Sequence, residues 1–250
     1  MTPENHKPAE TSPSPHPTLL RFLIELRSRL LLSVLVVAAL FFGLASFSNR
    51  LYHWLALPLL QHLPAGSSLI ATQVIAPIWI PVKFAMVVAV LAALPFLIYQ
   101  VWAFIAPALY HKERRLIWPL LFISTALFYL GMAFAYFVIF PLLFGFLAKS
   151  APAQVTVAPD ISQYLDFTLK MLFVFGFIFE VPMATTVLVL AGITTRERLV
   201  KLRPYAIVTA FIVGMLLAPP DVFSQTLLAI PLWLLFEIGL FCTRFVKKSG

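Results

Sequence analysis

The chain has 250 residues, of which 61% are hydrophobic and only 11% are charged, and its formal net charge is +8. A soluble domain usually carries about 25% charged residues, so lipid is the expected solvent for this chain. The positive charges lie in short stretches between apolar runs, which favours membrane topology over nucleic-acid binding as their explanation. The single cysteine, Cys242, excludes an internal disulfide and a cysteine-rich metal site.

The apolar runs predict an all-α, polytopic membrane protein with six transmembrane helices, because one span needs about 20 apolar residues. Residues 1–18 are polar and proline-rich, which is typical of a disordered tail. A six-helix domain over 19–245 follows, with a short tail at 246–250. The spans are predicted at 30–47, 84–104, 116–140, 164–191, 205–217 and 224–241.

The last two predicted spans are short. A helix over 205–217 is about 20 Å long, whereas the hydrocarbon core of a bilayer is about 30 Å thick. We therefore expect these helices to thin the bilayer locally or to lie behind longer neighbours. A re-entrant hairpin is the alternative, because Pro219, Pro220 and Asp221 between the two segments permit either arrangement.

The distribution of basic residues predicts the orientation. Most of the 18 lysines and arginines fall on one side of a six-span topology, and the positive-inside rule places that side, with both termini, in the cytoplasm. They are Lys7, Arg21, Arg27, Arg29, Lys112, Arg114, Arg115, Arg196, Arg198, Lys201, Arg203, Arg244, Lys247 and Lys248.

Two acidic residues lie among these cytoplasmic basic groups. Glu25 precedes the first span and is spaced to pair with Arg29 one helical turn later. Glu113 lies in a loop rich in positive charge, where a carboxylate should stay ionised. On residues alone, an ordinary surface ion pair and simple charge balance explain these two positions as well as a binding role does.

Glu180 is predicted deep in the fourth span, where a carboxyl group is costly and is a functional candidate by default. Gly176, one turn earlier, permits close approach of another helix, and Pro182 is expected to kink the span. A protonated side chain satisfied by a neighbouring helix is an equally good interpretation.

Asp221 and Gln225 fall where the last two spans meet, and Asp221 is equally well explained as the cap of the sixth helix. Glu237 is expected to reach toward Arg244 or Lys248 near the cytoplasmic end. The sequence has no phosphate-binding loop, no H-E-x-x-H, no G-x-S-x-G and no metal-spaced histidines. Without such motifs, a binding or transport protein is favoured over an enzyme, and no cofactor is expected.

Four motifs resemble those of the TatC family, the signal-peptide receptor subunit of the twin-arginine protein translocase. They occur in the family's order, and the resemblance covers about 19–245. Two positions depart from the usual pattern: Phe22 stands where a histidine is common, and Ala218 replaces a threonine, which weakens the polar patch expected near Gln225. The motifs are LIELRSRL at 23–30, YQVWAFIAPALY at 99–110 with ERR at 113–115, FGFIFEVP at 175–182 and PPDVFSQ at 219–225.

The resemblance implies that the chain recognises signal peptides carrying two consecutive arginines on folded cargo. The family's receptor carboxylates match Glu25 and Glu113, and Arg27 is expected to orient Glu25. Phe104 and its loop are expected to cradle the residues after the arginine pair. Two acceptors at separate positions suit two adjacent arginines, because neighbouring side chains of an extended peptide point to opposite faces.

The resemblance also implies assembly with single-span TatB and TatA proteins into an oligomeric complex of the bacterial inner membrane, driven by the proton-motive force. Glu180 would then face a cavity and either contact a polar residue of a TatA-type helix or attract the signal-peptide hairpin. The short fifth helix, through Met215, would dock TatB. The rival interpretations are a small-molecule or ion transporter, for which Glu180 alone is thin support, an intramembrane enzyme and a purely structural assembly scaffold.

Overall fold

Every regular element in the described part of the chain is a helix, which confirms the all-α fold class. The computed structural model of the protein describes residues 17–44, 75–105, 117–150, 160–218 and 221–244, so the tail predicted at 246–250 and almost all of 1–18 lie outside it. The π-helical segment Ala135–Ile139 joins the helix Ile117–Phe134 to the helix Phe140–Ser150. The helices are α1 (Pro17–Leu44), α2 (Ala76–Ile105), α3 (Ile117–Phe134), α4 (Phe140–Ser150), α5 (Ile161–Phe179), α6 (Val181–Leu190), α7 (Arg196–Lys201), α8 (Arg203–Leu217) and α9 (Val222–Cys242).

Within the described ranges, five stretches are long and apolar enough to cross a membrane. They match the predicted first, second, third, fourth and sixth spans. The predicted fifth span corresponds to α8, which has 15 residues and is about 22 Å long at 1.5 Å per residue. The five stretches are Ile24–Leu44, Ile78–Ala103, Trp118–Phe146, Ile161–Leu190 and Val222–Cys242.

Several spans start earlier than the sequence indicates, among them the second and the sixth. The second was predicted from residue 84, but α2 begins at Ala76 and runs through Pro81. Proline is tolerated in the first turn of a helix, and in lipid the neighbouring helices compensate for an interior proline. The sixth span, α9, has 21 residues instead of the range 224–241, because Asp221 caps its first turn, yet it stays shorter than the second, third and fourth spans.

The fourth span is interrupted at the predicted position. Helix α5 ends at Phe179 and α6 begins at Val181, with Pro182 in its first turn and Glu180 between the two helices. Pro182 has no backbone N–H to continue the hydrogen-bond ladder, and the hydroxyls of Thr185 and Thr186 both donate to its carbonyl oxygen. The predicted kink is therefore confirmed as a break that positions Glu180 at the joint.

The third and fourth spans pack closely through two glycines. A Cβ added at Gly176 would lie 2.5 Å from the ring of Phe128, and one added at Gly131 would lie 2.5 Å from the carbonyl oxygen of Phe175. Gly176 thus admits a neighbouring helix as predicted. Around this contact lies the main core, in which Phe140, Phe175 and Leu228 are fully buried.

Helices α8 and α9 form an antiparallel pair. Arg203 at the start of α8 contacts Glu237 near the end of α9, whereas Gly214 near the end of α8 lies against Gln225 in the first turns of α9. We call the end of the bundle where α1 and α8 begin and α2 ends the basic end, since it carries Arg27, Arg29, Arg198, Lys201 and Arg203.

Candidate functional site

Near the start of α1, Arg29 holds the carboxylate of Glu25. Nε and Nη2 of Arg29 both donate to Oε1 of Glu25, at 3.1 and 2.7 Å. Nη1 of the same guanidinium donates to Oε1 of Gln100 on α2 at 3.1 Å. The predicted pair of Glu25 and Arg29 is confirmed, and its guanidinium also fixes α1 against α2.

The Glu25 carboxylate is presented to its surroundings rather than buried. Its side chain is 43% exposed, whereas Arg29 is 25% exposed and Gln100 is 9% exposed. Both contacts from Arg29 use Oε1, and no donor in the described part of the chain reaches Oε2. One carboxylate oxygen is therefore anchored, and the other can accept a further hydrogen bond.

In the described residues, Arg29 rather than Arg27 bonds Glu25, so a role of Arg27 in orienting Glu25 stays a prediction. Arg27 is exposed two residues further along α1, and residues two apart on a helix do not face each other, whereas Arg29 is four apart. Phe104 lies in α2, one turn after Gln100, and only its backbone is described. Glu113 lies outside the described residues, so its proximity to Glu25 stays a prediction.

Glu180 accepts a hydrogen bond from the third span. The hydroxyl of Ser124 on α3 donates to Oε2 of Glu180 at 2.6 Å, and Nε1 of Trp102 on α2 donates to the oxygen of Ser124 at 3.1 Å. Ser124 is fully buried. Three spans therefore meet at one polar chain inside an otherwise apolar interface.

The second oxygen of this carboxyl group, Oε1 of Glu180, is buried and has no hydrogen-bond partner in the described part of the chain. This oxygen is thus turned into the interface between spans, and the expectation that Glu180 faces a cavity stays a prediction. A buried polar atom without a partner is costly, and such exceptions in native proteins need a reason. In the described residues, the hydroxyls of Thr125, Thr168 and Ser224 are also buried without a partner, and Glu180 is the carboxyl group among these four.

The residues singled out on the last two spans do not form one cluster. Oδ1 of Asp221 accepts from the backbone N–H of Ser224 at 2.7 Å, which confirms the interpretation of Asp221 as a helix cap. Nε2 of Gln225 donates to the carbonyl oxygen of Phe211 at 3.1 Å and joins α9 to α8. Met215 instead points away from the bundle and is 56% exposed.

Glu237 was expected to reach Arg244 or Lys248, but it pairs with Arg203, whose Nη2 lies 2.7 Å from Oε2 of Glu237. The antiparallel packing of α8 on α9 brings Arg203 to this level, which chain position alone does not reveal. In the described residues, no group of three or more His, Cys, Asp or Glu side chains is placed to hold a metal ion.

Sequence reasoning did not identify several polar partners inside the spans. Besides Gln100, Trp102 and Ser124, an ion pair joins Lys83 on α2 to Asp166 on α5 at 2.7 Å. The available signal was the presence of hydrogen-bonding and charged side chains within predicted spans, where such groups usually face other helices.

Comparisons with known proteins agree with this architecture. The sequence model of the family described as "Sec-independent protein translocase protein (TatC)" matches residues 21–231 of this chain. The Sec-independent protein translocase protein TatC of Escherichia coli K12 is 54% identical over 232 residues, covering 93% of this chain and 90% of that protein. The TatC protein of Aquifex aeolicus is 40% identical over 234 residues, covering 92% and 96%.

A solved structure has the same fold. The crystal structure described as the twin arginine translocase receptor TatC superposes with a TM-score of 0.80 at 39% identity, covering 89% of this chain and 98% of that one. Sequence and fold agree over nearly the whole chain, and the chain belongs to the TatC family of Sec-independent protein translocases.

Proposed function

We propose that this chain binds the twin-arginine signal peptides of folded proteins at its basic end. With single-span TatA and TatB partners, it mediates their export across the bacterial inner membrane, driven by the proton-motive force. Family membership and the likeness to a twin arginine translocase receptor support this role. The observation that carries it is the Glu25 carboxylate, which Arg29 holds on one oxygen and whose other oxygen has no donor among the described residues.

Recognition of two adjacent arginines needs two acceptors, because their side chains leave an extended peptide on opposite faces. In this proposal, Glu25 accepts one guanidinium and Glu113 accepts the other. Phe104 lies on α2 between Gln100 and the segment that carries Glu113, a placement that suits contact with the neighbouring peptide residues. A planar guanidinium binds carboxylate with two hydrogen bonds, whereas a lysine ammonium binds as a point charge.

Binding of a fluorescent signal peptide to the purified protein in detergent tests this proposal. The Arg-Arg peptide is compared with the same peptide carrying Lys-Lys, and both are titrated against wild type, Glu25→Gln and Glu113→Gln. The matched control is Glu197→Gln, which removes an exposed carboxylate from α7, away from the contact of α1 with α2.

We expect wild type and Glu197→Gln to prefer Arg-Arg and each of the other two variants to lose the preference. Loss of a charge-assisted hydrogen bond of about 1.5–3 kcal/mol corresponds to roughly 10- to 150-fold weaker binding. Equal binding of both peptides to wild type would refute the receptor role. Full binding by Glu25→Gln alone would remove Glu25 from the site.

The same proposal assigns Glu180 to a later step of export, in which its free oxygen contacts a polar group on a TatA-type helix. Its support is the carboxyl oxygen at the break between α5 and α6, which has no partner in the described part of the chain. Glu180→Ala should then keep signal-peptide affinity and reduce export of folded cargo into inverted vesicles. Export at the wild-type rate would refute this role.

The proposed topology places the basic end and both termini in the cytoplasm of a bacterium, following the positive-inside rule. The antiparallel α8 and α9 return the chain to the end at which α8 begins, so this holds whether the pair crosses or re-enters. A protease-protection assay on inverted vesicles, with tags at both termini, tests it, and protection of either tag would contradict the assignment.

A further inference from the structure

A groove of about 690 Å³ runs along the bundle between α2 and α5, and Leu217 at the end of α8 also lines it. It begins near the end of the bundle opposite the basic end, where α2 and α5 both start. From Asp166 to Phe177, which both line it, α5 covers about three turns, or roughly 16 Å. This length is comparable to that of a lipid acyl chain.

At the end of the groove where α2 and α5 start, three charged side chains take part in an otherwise apolar lining. Lys83 and Asp166 form an ion pair across it at 2.7 Å, with side chains 33% and 42% exposed. Lys170 lines the same groove one turn after Asp166 on α5 and is exposed. No ion pair joins Lys170 to any acidic group in the described part of the chain. The lining therefore contains two cations and one carboxylate, and the groove carries a net positive charge.

From the lysines toward the basic end, the groove is lined by apolar side chains. Met86 on α2 and Phe173 and Phe177 on α5 form its walls, and Phe177 is 66% exposed. On the opposite side of the lysines, Trp79 lies one turn before Lys83 on α2 and is 53% exposed. Tryptophan is enriched at the level of lipid headgroups, so Trp79 marks that level. Along the groove, the order is an interfacial aromatic residue, cationic groups and then an apolar channel.

We propose that this groove binds one anionic phospholipid, with the phosphate at Lys170 and Lys83 and an acyl chain along Met86, Phe173 and Phe177. The order of groups in the groove matches the order in a lipid of the leaflet at this end. A lysine within a span needs an anionic partner or access to the interface. A lipid phosphate supplies the partner, and the chain supplies the apolar contact.

The net positive charge of the groove favours an anionic lipid over a zwitterionic one. The ammonium group of a zwitterionic lipid would lie close to the cations Lys83 and Lys170. It also distinguishes a lipid from an apolar partner helix, which would leave Lys170 without a counter-charge. The inference uses the proposed topology only to assign the leaflet, and it is independent of the signal-peptide proposal.

Native mass spectrometry of the purified protein with equimolar phosphatidylglycerol and phosphatidylcholine tests the inference. Wild type should retain phosphatidylglycerol preferentially, and Lys170→Gln should reduce that retention by roughly fivefold while phosphatidylcholine is unchanged. Lys201→Gln removes the same charge from α7 at the basic end and should behave as wild type. Size-exclusion profiles of all variants confirm that they are folded.

Asp166→Asn should change the retention of phosphatidylglycerol in the opposite direction. It removes the carboxylate that competes for Lys83, so retention of phosphatidylglycerol should rise by roughly fivefold, a gain that misfolding cannot produce. Equal retention of both lipids by wild type, or an unchanged result in Lys170→Gln, would overturn the proposal. Either result would favour a partner helix with an acidic side chain as the occupant.

Discussion

The hydroxyl of Ser124 lies 2.6 Å from Oε2 of Glu180 and ties the third span to the fourth at the joint between α5 and α6. The indole of Trp102 on α2 donates to the same hydroxyl oxygen. Because Ser124 is fully buried, water cannot replace this contact without opening the interface. The pair therefore locks the orientation of an intramembrane carboxyl group whose other oxygen has no partner in the described residues.

Ser124→Ala should destabilise the bundle. The substitution leaves the Glu180 carboxyl group without its hydrogen bond in a buried site, which costs about 1–3 kcal/mol. We expect a lower midpoint in thermal unfolding of the detergent-solubilised protein. Ser33→Ala is the matched control, because in the described residues the Ser33 hydroxyl donates to the carbonyl of Arg29 within its own helix.

The double variant Ser124→Ala, Glu180→Ala identifies the pair as the cause. If the loss comes from Glu180, removing Ser124 in the Glu180→Ala background should change the midpoint much less than in wild type. An equal shift in both backgrounds would instead assign the effect to packing at Ser124.

Most of the fold could be predicted from the sequence, because lipid requires long apolar runs and closed backbone hydrogen bonding, and both leave a simple pattern. The short α8 followed from the prolines around it, and the break at Glu180 followed from Pro182. The start of α2 was missed because the prediction placed residues 76–83 before the span, although proline, here Pro77, suits the first turn of a helix.

The side-chain partners were much less predictable. The Ser124–Glu180 contact joins residues 56 apart, and the Arg29–Gln100 contact joins residues 71 apart. Each depends on the relative rotation and depth of two helices, and nearly uniform hydrophobicity around the spans carries little information on rotation. The local pair of Glu25 with Arg29 was predictable because one helix fixes its geometry.

Arg29→Lys should weaken signal-peptide binding if Glu25 is an acceptor. A lysine cannot contact Glu25 and Gln100 at once with a planar fork, so the carboxylate loses its fixed position. We expect roughly two- to fivefold weaker binding of the Arg-Arg peptide, since a partly exposed pair contributes up to about 1 kcal/mol. Fluorescence anisotropy titration measures this change.

Arg198→Lys is the control for this experiment, because it makes the same exchange at an exposed position of α7 at the basic end. Gln100→Ala should give a smaller loss than Arg29→Lys, because the bonds to Glu25 remain. Wild-type affinity in Arg29→Lys would show that the guanidinium does not position the acceptor.

Gly176→Ala tests the close contact of the third and fourth spans. The added methyl group would lie 2.5 Å from the Phe128 ring, so the helices must separate or the ring must move. Overpacking of this kind costs about 1–3 kcal/mol and should lower the thermal midpoint. Gly43→Ala is the control because nothing lies within 4 Å of the added atom. Equal midpoints for both variants would show that the interface can accommodate the methyl group.

Met215→Cys tests α8 as the dock for a TatB-type helix. Met215 is 56% exposed and its neighbour Leu216 is 75% exposed, whereas Ala210 is 4% exposed and lies in the core. In a background with Cys242→Ser, a cysteine at 215 should form disulfides with a single-cysteine TatB helix in membranes, and Ala210→Cys should not. Because α8 is about 22 Å long, the partner should react near the middle of its apolar stretch rather than at its end. No cross-link from position 215, or equal yields from both positions, would place the partner on another face of the bundle.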